Sequence, residues 1–480
     1  MRTLRVRICL ASFFLKRRCV QGNQERVYMS PADDAKQNHC PGCKQRDELL
    51  RAALDKIVEL ERRIEQLEQE GKRQAAPFRR PEQKRKKDKA KPGRKKGHKP
   101  AYRQPPPTVD ECAEVPLECC PHCGGPVNEV RAVKQIIEDI PVIRVHRLQL
   151  TTYRGRCAKC GPVQSSHPAQ VSTATGAAGT HLGKRALALG TALNKQFGLT
   201  MRKTTAVLEE HFGLRVTPGG LSHALARVAG KLAQPFDELR SAVRASKAIH
   251  ADETGWWVGG QSAWLWTFTN AQMTLYTIGD RSQRVIRRII GDDYRGVLIS
   301  DCLASYDPHP GRKSKCCAHH LKAISEAREQ APGSAFLARI ELFFKTAILL
   351  DGLREKIDET RYWGSVAHME QNLDELLAPP RGDAAEVRIA NRLRKQRPHL
   401  LTFLHVAEVD PTNNLAERQL RPAVIARKLS AGNKTQAGLA TFEVLVSLAA
   451  TCRQQGRSFA SYVAESLALG RSPPPLFAAE

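Results

Sequence analysis

No stretch of this 480-residue chain approaches the roughly 18–20 consecutive apolar residues that a membrane-spanning helix needs, so we expect no membrane anchor. Acidic residues are scarce: 49 Asp and Glu stand against 76 Lys and Arg, a formal net charge of +27. That imbalance excludes an acidic, solvating chain and argues for a polyanionic partner, with nucleic acid the default. An even spread of cysteines is also missing. Four of the 14 fall in two neighbouring C-x2-C pairs, which speaks against a secreted disulfide framework and for zinc in a cytoplasmic protein. The opening MRTLRVRICLASFFLKRR carries only a short apolar part, Ile8–Leu15, and lacks a small-residue cleavage site. We expect residues 1–46 to be a disordered leader, with Met29 as an alternative start.

The length calls for several domains, and the pattern predicts a multidomain α+β chain. Over 47–71, Leu50, Ile57 and Ile64 share one heptad position and Ala53, Leu60 and Leu67 another. This predicts a coiled-coil helix and a homodimer or higher multimer. The preceding Cys40 and Cys43 form a lone pair with no second half nearby. Residues 72–108 are Pro-rich, basic and almost without apolar side chains, so they cannot fold alone. Arg94, Lys95 and Lys96 in that linker are candidate DNA contacts. In 109–165, Cys120, Cys123, Cys157 and Cys160 have the spacing of a closed, structural Zn²⁺ ribbon, with strands expected over Gln135–Ile140 and Val142–Tyr153. Residues 166–245 read as helical: Met201–Phe212, stopped by Gly213, then Gly219–Leu232 behind Thr217-Pro218. This pair is compatible with a helix-turn-helix, with Arg202, Lys203, Ser222, His223 and Arg227 as possible DNA contacts, or with a plain helical hairpin.

From 246 the pattern changes to strands. Ala248–Ala251, Ala263–Phe268, Thr274–Ile278, the helix Gln283–Ile290 and the strand Val297–Ser300 follow the order of a ribonuclease-H-like core, assigned to 246–325. Asp252 and Asp301 are expected at the ends of the first and fourth strands. A helical insertion is expected over 326–405, with helices Leu321–Glu329, Ala335–Asp358 and Ala384–Gln396. A helix carrying Glu417 should occupy 406–432, and further packing helices 433–480. On the Glu417 helix, Asn414, Arg418 and Arg421 share a face with the acid and could reach metal and phosphates.

Asp252, Asp301 and Glu417 supply hard oxygen donors suited to two Mg²⁺ (or Mn²⁺) ions, which can activate water and stabilise a leaving oxygen at a phosphodiester. The expected activity is metal-dependent DNA strand cutting and joining, with His319 a possible phosphate ligand or acid–base group. Glu253 should point away from Asp252. Rival readings are a non-catalytic DNA-binding regulator, a nuclease that cuts without joining, and an RNA-binding zinc protein.

The runs HADETGWW, YRGVLISDCLASYD, CCAH and NNLAERQLRPAVIARK resemble the insertion sequence 66 family of bacterial DDE transposases over roughly residues 45–465. Four details depart from the family pattern: Cys302-Leu303 after the second Asp, Cys317 where Trp is usual, Leu321-Lys322 after His320 where Arg-Arg is usual, and Leu429-Ser430 after Arg427-Lys428. The resemblance implies Asp252, Asp301 and Glu417 as the triad, Mg²⁺ as cofactor, terminal inverted repeats and a target as double-stranded DNA substrates, and element-encoded accessory proteins as partners.

Overall fold

The computed structural model describes Glu59 and residues 102–174 and 179–477. The coiled-coil heptads, Cys40, Cys43, Arg94, Lys95 and Lys96 lie outside the described residues. Two units are distinguished, Met1–Ile136 and Ile137–Glu480, a division that falls inside the 109–165 segment.

In the first unit, Cys120–Gly125 forms a tight knuckle. The Gly124 N–H donates to Cys120 O at 2.8 Å, and the Cys120 N–H to Gly125 O at 2.9 Å. Gly124 has φ +74°, a backbone state that residues with a Cβ resist.

The second unit begins with a small hairpin, β1 (Arg154–Cys157) and β2 (Gly161–Gln164), that turns through the other C-x2-C pair. The expected strands over Gln135–Ile140 and Val142–Tyr153 are not there. Among the described residues they form no strand; Tyr153 O alone accepts a bond from across the β1–β2 hairpin, from the Ser165 N–H at 2.9 Å, and Ile137, Ile140 and Val142 are largely exposed. Alternation makes a strand only where a second edge accepts its backbone hydrogen bonds. Here that edge comes from 161–164 and serves 154–157 instead.

Helices follow: α1 (Lys184–Thr191), continued by a π-helical turn at Ala192–Gln196, then α2 (Met201–Phe212), α3 (Pro218–Lys231) and α4 (Ala233–Ala245). The sequence signals act as expected. Thr200 and Thr217 cap α2 and α3 through their side chains, and Gly213 closes α2 in the left-handed conformation. Arg202, Lys203, Ser222, His223 and Arg227 all lie on the exposed faces of this pair.

A five-stranded sheet organises the rest. Its strands are β3 (Ala248–Val258), β4 (Gln261–Thr269), β5 (Thr274–Gly279), β6 (Val297–Ser300) and β7 (Arg312–Lys315), in the order β5-β4-β3-β6-β7. The β3–β4 and β4–β5 pairs are antiparallel, whereas β6 and β7 continue parallel to β3. Helix α5 (Gln283–Ile290) connects β5 to β6 and buries Val285, Ile286, Ile289 and Ile290.

Strand alternation gives this sheet two apolar faces. Ile249, Ala251, Phe268, Leu275 and Leu298 pack with α3, α4 and α5 and with the C-terminal helices α12 (Gln436–Gln454) and α13 (Phe459–Ser466). Ala248, Val297 and Ile299 pack with α6 (Cys317–Gln330), α7 (Ala335–Asp351), α8 (Glu359–Leu377), α9 (Ala384–Gln396) and the short α10 (Thr402–His405). The expected helix Ala335–Asp358 ends at Asp351. Gly352 weakens the turn, Arg354 ties back to Asp351 and to Phe403 O, and Asp358 caps α8, a helix the sequence reading did not foresee. Helix α11 (Asn414–Ser430) lies on β3 and β4, with Leu420 and Ala423 against Trp256, Leu265 and Tyr276.

Candidate active site

Asp252 does not end its strand. β3 runs on to Val258, paired with β4 throughout. What ends near Asp252 is the parallel pairing with β6, whose last register partners are His250 and Ile299. Two residues further along each chain stand Asp252 and Asp301, so both acids occupy the point where the sheet opens. By strand alternation Asp252 shares the face of Ala248 and His250, the face covered by the α6–α10 helices and the start of α11.

Helix α11 is fixed to β3 at both ends, which sets the place of Glu417 in its first turn. At the entry, the Asn413 side-chain amide donates to Ala251 O at 2.8 Å, and its Oδ1 meets His250 Nδ1 at 3.2 Å. His250 Nε2 lies 3.2 Å from Asp410 Oδ2, and this contact holds the Asp410 carboxyl below its ordinary range. The Asn413 N–H donates to Cys316 Sγ, and the Cys317 N–H to Pro411 O. Asn413 is fully buried and occupies the N-cap position, yet its side chain makes no capping bond. A cap of this type contributes about 1 kcal/mol; here the amide joins strand to helix instead. At the exit, Arg427 donates to Thr254 Oγ1 and Gly255 O, and Asn433 exchanges backbone bonds with Trp257 and Gly259. Gly432 has φ +88°, and a Cβ there would stand 2.3 Å from Trp257 O.

Asp252, Asp301 and Glu417 act on one another through space. Asp252 is pushed up to about 8, first by burial, then by the charges of Glu253, Asp301 and Glu417; one hydrogen bond from the Glu253 N–H, at 2.9 Å, opposes this. Asp301 Oδ1 accepts from the Leu303 N–H at 2.9 Å, and the buried Lys315 ammonium donates to Asp301 O at 3.0 Å. His319 Nε2 stands 3.8 Å from Glu417 Oε1. Its pKa is raised, chiefly by Cys316 beside it and further by Asp301 and Glu417, although its buried Nδ1 meets no partner at strict hydrogen-bond geometry. The next histidine behaves oppositely. His320 is buried, stacked on Phe344 and held down to about 3 by desolvation and by Arg392, His319 and Lys315.

Glu253 carries more than its expected outward orientation suggested. It leaves the Asp252 face, but it is buried, accepting from Arg281 at 2.9 Å and from the Tyr306 hydroxyl at 2.9 Å. Burial raises its pKa while Arg281 and Tyr306 oppose that rise. Arg281 in turn lies over the Trp264 ring.

Asn414, Arg418 and Arg421 lie together on the exposed side of α11 beside Glu417. Cys316, Cys317, His319 and His320, close in sequence, give no metal cage: both cysteines are buried, and Cys316 is engaged with Asn413. Among the described residues no three His, Cys, Asp or Glu side chains are gathered closely enough to hold an ion. The acids do fit a hard divalent cation in donor chemistry and in charge, because Asp252 lacks the counter-charge that would let it ionise at neutral pH. The thiols of Cys120 and Cys157 are drawn below their ordinary range, each chiefly by backbone N–H groups within its own knuckle. That favours thiolate, the form that binds metal.

His250, Asp410, Asn413 and Lys315 were not among the expected site residues, and Glu253 was set aside as pointing away. For His250 the signal was a polar residue inside an apolar strand, as in Ala248-Ile249-His250-Ala251.

Among the described residues no helix is long and apolar enough to cross a membrane. A segment of 109 residues is 30% identical to the "Uncharacterized protein y4jO" of Sinorhizobium fredii (strain NBRC 101917 / NGR234), covering 22% of this chain and 30% of that protein's length. Residues 179–441, more than half of the chain and all of the acid pocket, match the family described as "Transposase IS66 family". This protein belongs to the IS66 family of transposases.

Proposed function

We propose that the protein is a DNA transposase that binds the ends of a mobile element and cuts and joins DNA strands at Asp252, Asp301 and Glu417. One observation carries this: acids from three remote parts of the chain act on one another inside the family-matched region, and Asp252 is held largely protonated by the other acids and its burial. The sheet order β5-β4-β3-β6-β7, antiparallel then parallel, supports a ribonuclease-H-like core. Asp252, Asp301 and Glu417 would hold two Mg²⁺ or Mn²⁺ ions. Such sites use one or two carboxylates per ion and leave the other positions to water and phosphate oxygens, so a closed protein cage is not required. Bound there, the ions would activate a water or a 3′-hydroxyl and stabilise the leaving oxygen.

The chain's own groups do the remaining work. Asn414, Arg418 and Arg421 present an amide and two guanidinium groups where a phosphate backbone can lie along α11. His319, with its pKa raised beside Glu417, can hold a proton near the leaving group or bind a phosphate oxygen. Lys315 and the Leu303 N–H keep Asp301 in place. Cys120, Cys123, Cys157 and Cys160 would hold a structural Zn²⁺. The basic linker with Arg94, Lys95 and Lys96, and the α2–α3 pair, would contact duplex DNA. A multimer joined through the heptads, and element-encoded accessory proteins, complete the proposed assembly.

The test is incubation of the purified protein with labelled element ends, a supercoiled target and Mg²⁺. Covalently inserted ends are expected from the wild type, and Asp301→Asn should lose at least ~10³-fold, several kcal/mol of transition-state stabilisation at tenfold per 1.36 kcal/mol. Unchanged joining by Asp301→Asn would refute the assignment. The lack of a closed three-residue cage among the described residues favours one alternative, a DNA-binding regulator, which would bind the same ends and leave them uncut.

A further inference from the structure

A cavity of about 350 Å³ opens beside the edge strand β7, and none of its lining residues belongs to the acid pocket. Arg312, Lys313, Arg397, His399 and His405 line it, with Glu370 the one acid. The acid is engaged: Glu370 Oε1 lies 3.1 Å from His405 Nε2. Arg397 is braced by a two-pronged contact with Asp374, at 2.5 and 2.8 Å, and by the Glu370 carbonyl. Lys313 is buried and, among the described residues, donates only to the carbonyls of Asp307 and His309, so its charge meets no carboxylate there in a direct hydrogen bond. The Arg312 side chain is exposed and has no hydrogen-bond or ion-pair partner among the described residues. Protonation of His399 is suppressed to about 4, first by burial and then by Lys313 and Lys315, a sign of positive potential inside the cavity. A rigid guanidinium, a free guanidinium and a buried ammonium around one concavity suit a tetrahedral anion.

We propose that this cavity seats a backbone phosphate of a DNA strand, as an anchoring point separate from the acid pocket. The assignment rests on charge and shape and stands whether or not the acids cut DNA. A strand offers consecutive phosphates along β7, so it should bind more tightly than a free anion.

The experiment follows the ring signals of His399 and His405 by NMR in the full chain, labelled on histidine. One arm titrates inorganic phosphate and the other a short oligothymidylate, each against matched sodium chloride. Both probes should move both rings, with the oligonucleotide effective at roughly tenfold lower concentration or less. Arg312→Glu should weaken the oligonucleotide response roughly tenfold and lower its salt slope by about one, and Arg312→Lys should restore it. Because Arg312 is exposed and unpartnered, neither change should disturb folding, which circular dichroism checks. Unmoved rings, or an Arg312→Glu response equal to wild type, would overturn the site. Equal affinity for inorganic phosphate and oligonucleotide would overturn the strand assignment and leave a free-anion site.

Discussion

The Cys157–Cys160 knuckle and the acid pocket both gather metal-type ligands, and they do so in opposite ways. In the knuckle, a thiol is drawn below its ordinary range by N–H groups two and three residues away. Everything it needs lies within four residues and one tight turn. In the pocket, a carboxyl is pushed up to about 8 by burial, by the adjacent Glu253 and by acids 49 and 165 residues away in sequence. One environment prepares an anion locally; the other crowds anions together by tertiary packing and leaves a charge deficit. Local geometry therefore stabilises the ligand form in the knuckle, whereas the pocket stores electrostatic repulsion that only a cation, a proton or a lost acid can relieve.

The largest effect should come from breaking the knuckle. Purified protein should carry one zinc per chain, and Cys157→Ser should abolish it, because structural zinc contributes on the order of 10 kcal/mol to the folding of such small elements. Mass spectrometry of the metal content decides this, and a full equivalent of zinc in Cys157→Ser would show that the four cysteines do not act together. Next, Asn413→Ala removes a fully buried amide that joins Ala251 O to His250, and should destabilise the chain by about 1–3 kcal/mol in urea unfolding. An unchanged midpoint would mean that α11 is held to β3 elsewhere.

Gly432→Ala tests the other anchor. With φ +88° and a Cβ driven against Trp257 O, it should cost about 1–3 kcal/mol. A neutral Gly432→Ala would show that the exit turn can shift without strain.

The pH profile sharpens the comparison most directly. Because the folded Asp252 carboxyl titrates near 8 and an unfolded one near 4, the folded state binds more protons between those values. Stability should therefore fall as pH rises through that window, the reverse of a carboxyl held below its ordinary range. Mg²⁺ should offset the loss, more at pH 8 than at pH 5, and Asp252→Asn should flatten this part of the profile. A melting temperature that rises from pH 5 to 8 without metal, with the same slope in Asp252→Asn, would contradict the crowded-anion account.

Local signals were legible where a few neighbouring residues decide the outcome. Thr217-Pro218 starts α3, Gly213 ends α2, and the apolar runs of β3 through β6 fall where alternation and β-branching put them. The strands expected at 135–153 failed because no second edge pairs with them. Helix α7 ended early because Gly352 and the Asp351–Arg354 contact intervene, which periodicity does not register. At the pocket, the acids themselves could be picked out, but not their supports: His250 and Asn413 are 163 residues apart and meet only after folding.

By itself the sequence determined the charge that calls for a polyanion, the cysteine pairs, three candidate acids and most helix starts, because each depends on residue type or on near neighbours. Tertiary structure alone decided that Asp252 sits inside a long strand, that Glu253 is buried against Arg281 and Tyr306, and that α11 is fixed to β3 at both ends. Those outcomes depend on burial and on the field of distant charges, which take their values only when remote segments share one low-dielectric interior.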